Sequence, residues 1–225
     1  MKAVIIGATG LVGTELLKKI LNDNSFDGVT SISRRRPQQE HPKLTQVIVS
    51  TLEDLPLRAV DLQGEVYFCC LGTTIKAAGS QQQFRKIDQR AVGDFARIAK
   101  NHQAKSFVLV SAQGAAPGSK IFYSRVKGEV EQELNALGLA SLTIFRPSLL
   151  IGDRKEKRPA ERFLINLFKI LSPVLPASVL KRAGTEVSQL ADRMIELAVS
   201  SRPGVTVVEA WDISFYDFEV VGIKM

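Results

Sequence analysis

Two side chains that could move a proton lie four positions apart in the second half of the chain. Tyr123 and Lys127 enclose the run Ser-Arg-Val, so on a helix they share one face, one turn apart. A phenol has a pKa of about 10 and is a poor acid or base at neutral pH, but a neighbouring ammonium group stabilises the phenolate and lowers that value. The pair is predicted to transfer a proton; a surface tyrosine beside a solvated lysine is the alternative.

A serine comes twelve residues before this tyrosine. Ser111 directly follows the apolar run 106–110, which reads as a buried strand. At the end of such a strand its hydroxyl would hydrogen-bond a substrate oxygen and orient it. Ser111, Tyr123 and Lys127 are therefore predicted to form a Ser/Tyr/Lys catalytic set, in which Lys127 could also reach the ribose hydroxyls of a nucleotide.

A glycine-rich turn near the start of the chain predicts the cofactor. A strand-like run, 2–6, breaks into three glycines at spacings of three, and a helix-like segment, 14–21, follows. Gly7 would permit a tight turn, Gly10 a close approach to a pyrophosphate, and Gly13 close packing of helix on strand, with the helix N-terminus facing the phosphates. The predicted cofactor contacts of this turn are Gly7, Thr9, Gly10, Leu11, Val12 and Gly13.

The residues at the end of the second strand candidate, 29–33, favour NADP over NAD. A carboxylate there would hold the ribose 2′-hydroxyl of NAD, whereas an arginine would pair with the 2′-phosphate of NADP. Ser33, Arg34 and Arg35 occupy these positions, and the nearest acid, Asp27, precedes the strand. We expect Arg34 to be the main phosphate partner, with Arg35 as a helper; two solvated surface arginines are the alternative.

Alternating apolar and helical segments predict the fold. Further strand candidates are 46–49, 65–71, 106–110 and 141–145, with helices expected at 84–102 and 123–137, the second ending at Gly138. The pattern predicts an α/β fold, a doubly wound parallel Rossmann sheet of order 3-2-1-4-5-6 with an added strand at 205–209. Because ligands bind at the carboxyl ends of such strands, cofactor contacts are also expected at Leu71, Gly72, Thr73, Arg146 and Pro147.

Composition limits the other classes of function. The 225 residues, 45% hydrophobic and 24% charged, suit a single domain spanning 1–225. The net charge of +7 and pI near 9.5 come without interleaved aromatic residues, a helix-turn-helix or a zinc pattern, so nucleic acid is not expected as a partner. Cys69 and Cys70 are adjacent, which suits core packing rather than a disulfide or metal site. No signal peptide or membrane-spanning segment is expected, and the protein is predicted to be cytoplasmic.

The region after the sixth strand is expected to cover the site. Residues 153–190 are predicted to form a lid on the substrate side or a subunit contact, because the segment 163–180 is apolar on nearly every face and follows a basic cluster that starts at Arg154. A peripheral membrane contact is the less favoured alternative. The sequence leaves open the substrate, the oligomeric state, including a homodimer, and a protein partner.

Taken together, these motifs resemble a known family. The three-glycine turn, Ser33-Arg34-Arg35, the run Cys-Cys-Leu-Gly-Thr-Thr from residue 69, Val110-Ser111 and the run Tyr-Ser-Arg-Val-Lys-Gly-Glu-Val-Glu from residue 123 are similar to the atypical short-chain dehydrogenase/reductases, above all the Tat-interacting-protein-like NAD(P)H-binding oxidoreductases. The resemblance extends to about residue 159 and implies NADPH as cofactor and Ser/Tyr/Lys as the reductase machinery. It departs at Ala112, where relatives carry a second serine.

The sequence therefore predicts an NADPH-dependent oxidoreductase acting on a small carbonyl-like substrate. The rival prediction is a non-catalytic NADPH sensor that acts through a protein partner, which Ala112 keeps open.

Overall fold

The structure is a computed structural model that describes residues 1–35, 40–152 and 184–214. The described residues form nine strands, which are β1 (Lys2–Ile6), β2 (Gly28–Ser33), β3 (Leu44–Ile48), β4 (Val66–Cys69), β5 (Ser106–Val110), β6 (Ser141–Arg146), β7 (Leu149–Ile151), β8 (Gly184–Glu186) and β9 (Gly204–Glu209). Seven of them form one sheet of order β3-β2-β1-β4-β5-β6-β9, in which each neighbouring pair is parallel. The predicted strand order is confirmed, and the strand expected at 205–209 extends the sheet beyond β6.

Helices cover both faces of this sheet. They are α1 (Leu11–Asn22), α2 (Ile75–Ala78), α3 (Gln81–Arg85), α4 (Ala91–Asn101), α5 (Phe122–Ala136), α6 (Val187–Ser200) and α7 (Ala210–Ser214), together with a 3-10 helix at Leu52–Asp61. On one face, α1 and α6 pack together and bury apolar side chains such as Leu16 and Met194. On the other, α4 and α5 bury Phe95 and Leu134. The doubly wound Rossmann fold predicted from the alternating pattern is confirmed.

One predicted helix is more complex than its sequence pattern. The segment expected as a helix over 84–102 contains a π-helical turn, Lys86–Arg90, between α3 and α4. Hydrophobic periodicity does not reveal such a turn, because one extra residue in the ladder leaves most of the buried face in place. The helix expected at 123–137 is α5, and Gly138 follows it with a φ of +62°, as expected for a helix stop.

Part of the predicted lid lies outside the described residues. Of the range 153–190, only the end is described, as β8 and the start of α6. The basic cluster from Arg154, the whole of the apolar segment 163–180 and the C-terminal residues 215–225 fall outside, as does Arg36 after the second strand. Within the described ranges, no helix is long and apolar enough to cross a membrane.

Candidate active site

The glycine turn after β1 is held so tightly that larger residues do not fit. Gly7 has a φ of +84°, and a Cβ there would lie 2.5 Å from the carbonyl oxygen of Cys70. A Cβ on Gly13 would lie 2.2 Å from the carbonyl oxygen of Gly7. Gly7 therefore permits the turn against β4, and Gly13 permits the close packing of α1 on that turn.

The start of α1 fits an anionic group. Gly10 is the N-cap and makes no side-chain cap, and the first turn carries no acidic residue. The amides of Leu11, Val12 and Gly13 therefore lack helix partners and carry the positive end of the helix dipole. Thr9 and Gly10 are exposed at this point. The side chain of Val12 is buried, so only its backbone amide could contact a ligand. A pyrophosphate fits this cradle.

The end of β2 presents two arginines to solvent. Ser33 is buried and its hydroxyl donates to the carbonyl oxygen of Arg35 at 2.6 Å, which shapes the turn. Arg34 and Arg35 are exposed. Asp27, by contrast, lies before β2 at the opposite edge of the sheet, where it pairs with the N-terminal amino group at 2.8 Å.

The predicted proton-transfer pair lies on the first two turns of α5. Tyr123 is partly exposed and its ring packs against Phe84 of α3, with 5.7 Å between ring centroids. The side chain of Lys127 is 4% exposed, and its Nζ lies 2.8 Å from Oδ1 of the fully buried Asp88. Oδ2 of Asp88 accepts a hydrogen bond from the backbone amide of Thr73 at 3.0 Å. One carboxylate therefore joins the helix of the pair to the loop after β4.

Burial and the two charges set the protonation states of the pair. Burial by itself would lower the pKa of Lys127, but the carboxylate of Asp88, together with Tyr123 and Cys69, raises it by more, so the pKa lies above its ordinary value. Burial raises the pKa of Tyr123; Lys127 lowers it and Asp88 raises it further, so the net shift is upward. Lys127 therefore lowers the pKa of Tyr123 as expected, but burial raises it by more. At neutral pH the phenol keeps its proton.

Ser111 is engaged in a different network from that of Tyr123. Its hydroxyl donates to Oε1 of Glu131, which lies one turn of α5 beyond Lys127. Glu131 also accepts hydrogen bonds from Nε and Nη2 of Arg146, the shortest at 2.6 Å, and Nη1 of Arg146 binds Glu209 at 2.8 Å. This network ties α5 to the ends of β5, β6 and β9. Ser111 would have to leave Glu131 before its hydroxyl could donate to a substrate.

The remaining predicted contacts lie at the carboxyl edge of the sheet. Gly72 is exposed and Leu71 and Thr73 are partly exposed in the loop after β4. Pro147 follows β6, and its carbonyl oxygen accepts the amide of Gln113 at 3.0 Å. The guanidinium of Arg146 is bound to Glu131 and Glu209, so only the backbone of Arg146 could line a pocket.

Asp88 and Glu131 were not predicted as site residues. A signal for Asp88 was present, because it lies three, four and seven residues before Ala91, Val92 and Phe95, on a face that is otherwise apolar. An acid on the buried face of a helix needs a partner. The sequence does not say which of 30 basic residues that partner is.

The parallel Rossmann sheet and the glycine cradle at the start of α1 define a nucleotide-binding class of protein. A family model described as NAD(P)H-binding matches residues 7–162. The chain belongs to this NAD(P)H-binding family.

Individual relatives agree with this assignment. The chain is 41% identical to Protein HTATIP2 of Rattus norvegicus over 161 residues, which cover 70% of this chain and 66%, just under two thirds, of that protein. It is 34% identical to Protein FMP52-1, mitochondrial, of Scheffersomyces stipitis over 197 residues, 85% of this chain and 86% of the relative. The predicted resemblance to Tat-interacting-protein-like proteins is confirmed.

A solved structure agrees at the level of the fold. The Bordetella bronchiseptica enzyme WbmH in complex with NAD+ superposes with a TM-score of 0.66 at 19% identity, covering 91% of this chain and 74% of that one. This likeness shows the Rossmann-like fold of the chain.

Proposed function

We propose that the protein is an NADPH-dependent oxidoreductase of the short-chain dehydrogenase/reductase type that acts on a small carbonyl-like substrate. The observation that carries the proposal is the buried ammonium group of Lys127, placed one helical turn from a partly exposed Tyr123 beside the loop that contains Gly72 and Thr73. A buried charge beside a phenol at the carboxyl edge of a Rossmann sheet suits proton transfer.

Each residue has a distinct task in this proposal. The bound dinucleotide supplies a hydride to the substrate carbon. Tyr123 gives its proton to the substrate oxygen, and the raised pKa of the phenol keeps that proton available at neutral pH. Lys127 stabilises the resulting phenolate and holds the ribose hydroxyls, while Ser111 would orient the substrate oxygen after turning away from Glu131.

NADPH is proposed in preference to NADH because of the charge after β2. Arg34 is exposed and offers a guanidinium that can bind a 2′-phosphate at two points, with Arg35 next to it. Contacts to the rest of the dinucleotide are assigned to the glycine turn, Leu71, Gly72, Thr73 and the backbone at Arg146 and Pro147. Cys69 and Cys70 are both free, which supports a reducing compartment such as the cytoplasm.

One observation favours a second candidate function. The hydroxyl of Ser111 is already bound to Glu131, and Ala112 offers none in its place. A site that binds NADPH but cannot polarise a carbonyl would suit a non-catalytic sensor that acts through a protein partner.

Replacing Tyr123 separates the two candidates. Tyr123→Phe should lower the rate of NADPH oxidation with small aldehydes, ketones and quinones by about a hundredfold or more, because it removes the proton donor. The affinity for NADPH, measured by calorimetry, should stay within about threefold because the phenol does not hold the phosphates. Tyr67→Phe is the matched control, because it removes a phenol from β4 and leaves Tyr123 on α5 in place.

The other outcomes are equally informative. Tight NADPH binding by the wild-type protein with no turnover of any carbonyl would favour the sensor. Failure to bind NADPH or NADH would contradict both candidates.

A further inference from the structure

A single buried carboxylate lies between the two halves of the site. Asp88 has no exposed surface, and it sits inside the π-helical turn Lys86–Arg90. Such turns re-aim one side chain of a helix and occur frequently at functional sites. Here the turn aims Asp88 at Lys127 of α5 and at the amide of Thr73, and its carboxylate contacts both.

We propose that Asp88 is a positioning residue, which fixes the ammonium group of Lys127 and the Gly72–Thr73 loop in one arrangement and opposes the charge of Lys127 beside Tyr123. The proposal rests on the oxidoreductase function and deepens it. With Lys127 opposed, the phenol stays in its proton-donating form, and the site favours reduction of a carbonyl over the reverse oxidation of an alcohol.

Stability alone does not account for this ion pair. Lys127 is 4% and Asp88 0% exposed, so both charges have lost their water. Replacing a buried ion pair by well-packed apolar side chains is often neutral or stabilising. Asp88 also binds the backbone amide of Thr73, so the pair fixes Lys127, Asp88 and the Gly72–Thr73 loop relative to one another. This positioning gives the ion pair a role beyond stability.

Among the groups that pack around Tyr123, Asp88 is the one whose charge opposes that of Lys127. Lys127 lies on the same helix, and the π turn contributes Asp88. From α3, Phe84 brings an uncharged ring, and Arg85 of that helix is paired with Glu129 at 2.6 Å. From β4, Cys69 is buried and its pKa is raised by burial to about 12, so its thiol is neutral.

The sign of the effect follows from these neighbours. Removing the charge of Asp88 leaves Lys127 to stabilise the phenolate without opposition, so the pKa of Tyr123 should fall. Asp88→Asn removes the charge and keeps one oxygen that can accept the amide of Thr73, while its NH2 group takes the place of the oxygen that faces Lys127. Asp94→Asn is the matched control. Asp94 lies on α4, where it pairs with Arg97 at a distance of 2.9 Å and takes no part in this site.

The experiment is an ultraviolet titration of tyrosinate near 295 nm with the whole 225-residue chain. The signal of Tyr123 is obtained by subtracting the same titration of Tyr123→Phe. We expect its midpoint to fall by at least one pH unit in Asp88→Asn and to stay unchanged in Asp94→Asn. An unchanged midpoint in folded Asp88→Asn would overturn the proposal, because a merely structural acid would not move it.

Two further measurements keep the result decisive. If Asp88→Asn does not fold, Asp88→Ser, which also removes the charge and keeps an oxygen, is titrated in the same way: a lower Tyr123 midpoint than in the wild-type protein supports the proposal, and an unchanged midpoint contradicts it. If the protein reduces a carbonyl of the panel, the pH at which kcat declines should fall in Asp88→Asn by the same interval. If it reduces none, the proposed function fails, while the tyrosinate titration still judges Asp88 because it needs neither cofactor nor substrate.

Discussion

At the scale of single residues, the chemistry of the site depends on how neighbouring side chains alter one another. Tyr123 has the right type and spacing for a proton donor, but burial and two opposite charges decide its protonation state. Cys69 shows the same effect in a simpler setting. It is buried, and burial raises its pKa to about 12, so the thiol is inert at neutral pH. The predicted role of this cysteine in packing, rather than redox chemistry, agrees with that environment.

The proposed preference for NADPH also depends on single residues. Arg34→Ala should weaken NADPH binding about tenfold to a hundredfold, since a charge-assisted hydrogen bond contributes about 1.5–3 kcal/mol. NADH has no 2′-phosphate, so its affinity should not change. Calorimetric titration of both nucleotides measures the difference.

Arg97→Ala is the control for this substitution, because Arg97 is an exposed arginine of α4 that pairs with Asp94. Equal losses of NADPH and NADH affinity in Arg34→Ala would count against a phosphate contact.

At the scale of elements, α5 carries the site by its periodicity. Tyr123, Lys127 and Glu131 follow one another at intervals of four, so three successive turns present a phenol, an ammonium group and a carboxylate along one face. Gly128 allows the loop before α5 to lie against the helix, since a Cβ there would lie 2.2 Å from the carbonyl carbon of Ala116. The amide of Ala116 donates to the carbonyl oxygen of Ser124 at 3.0 Å and closes this contact.

That contact gives a prediction for Gly128. Gly128→Ala should lower the free energy of unfolding by about 1–3 kcal/mol, because the new methyl group meets backbone, which cannot rotate away. The helix would have to move, so turnover should fall as well. Urea denaturation and NADPH oxidation measure the two effects.

Gly118→Ala is the matched control, since a Cβ on Gly118 has no atom within 4 Å. Its free energy of unfolding should change by about 0.5 kcal/mol or less. If the two variants were equally stable, the packing of the loop on α5 would not depend on this glycine.

Elements were predictable from sequence where a local pattern fixes them. Buried strands such as β5 and the glycine turn have patterns that follow directly from packing and backbone freedom, and the parallel order follows from their alternation with helices. The π turn and the Asp88–Lys127 pair were not predictable. The pair joins residues 39 positions apart in the chain, and no local pattern encodes which acid meets which base. The hydroxyl of Ser111 was placed at the right strand end, but its partner Glu131 is likewise a product of tertiary packing.

At the scale of the whole molecule, buried polar groups differ between the two edges of the sheet. The carboxyl edge holds charged groups, among them Lys127, Asp88 and Glu131. Near the amino edge, Tyr67 of β4 is fully buried and neutral; its hydroxyl donates to the carbonyl oxygen of Leu62 and lies 2.8 Å from Nδ1 of His102, at the end of α4. Charges are costly to bury, so their concentration at the carboxyl edge supports the proposed site there.

The neutral phenol of the amino edge leads to a prediction about alkaline stability. Burial raises the pKa of Tyr67 to about 12, against about 10 in the unfolded chain. The folded state therefore keeps this proton when the unfolded state has lost it, so the contribution of Tyr67 is fully present below pH 10 and is lost as the pH rises from 10 to 12. The full loss is about 3 kcal/mol, and about half of it should have occurred by pH 11.

Tyr67→Phe removes this titration and isolates it from the other groups that ionise at high pH. At pH 8 the variant should be less stable than the wild-type protein by about 1 kcal/mol, because it lacks the hydrogen bond to Leu62. Between pH 8 and pH 11 that difference should shrink, vanish and begin to reverse, since only the wild-type protein loses the contribution of a buried phenol. Urea denaturation of both proteins at intervals of half a pH unit measures the difference directly. A difference that stays constant up to pH 11 would mean that Tyr67 ionises alike in the folded and unfolded chains, and that the amino edge is open to water at this residue.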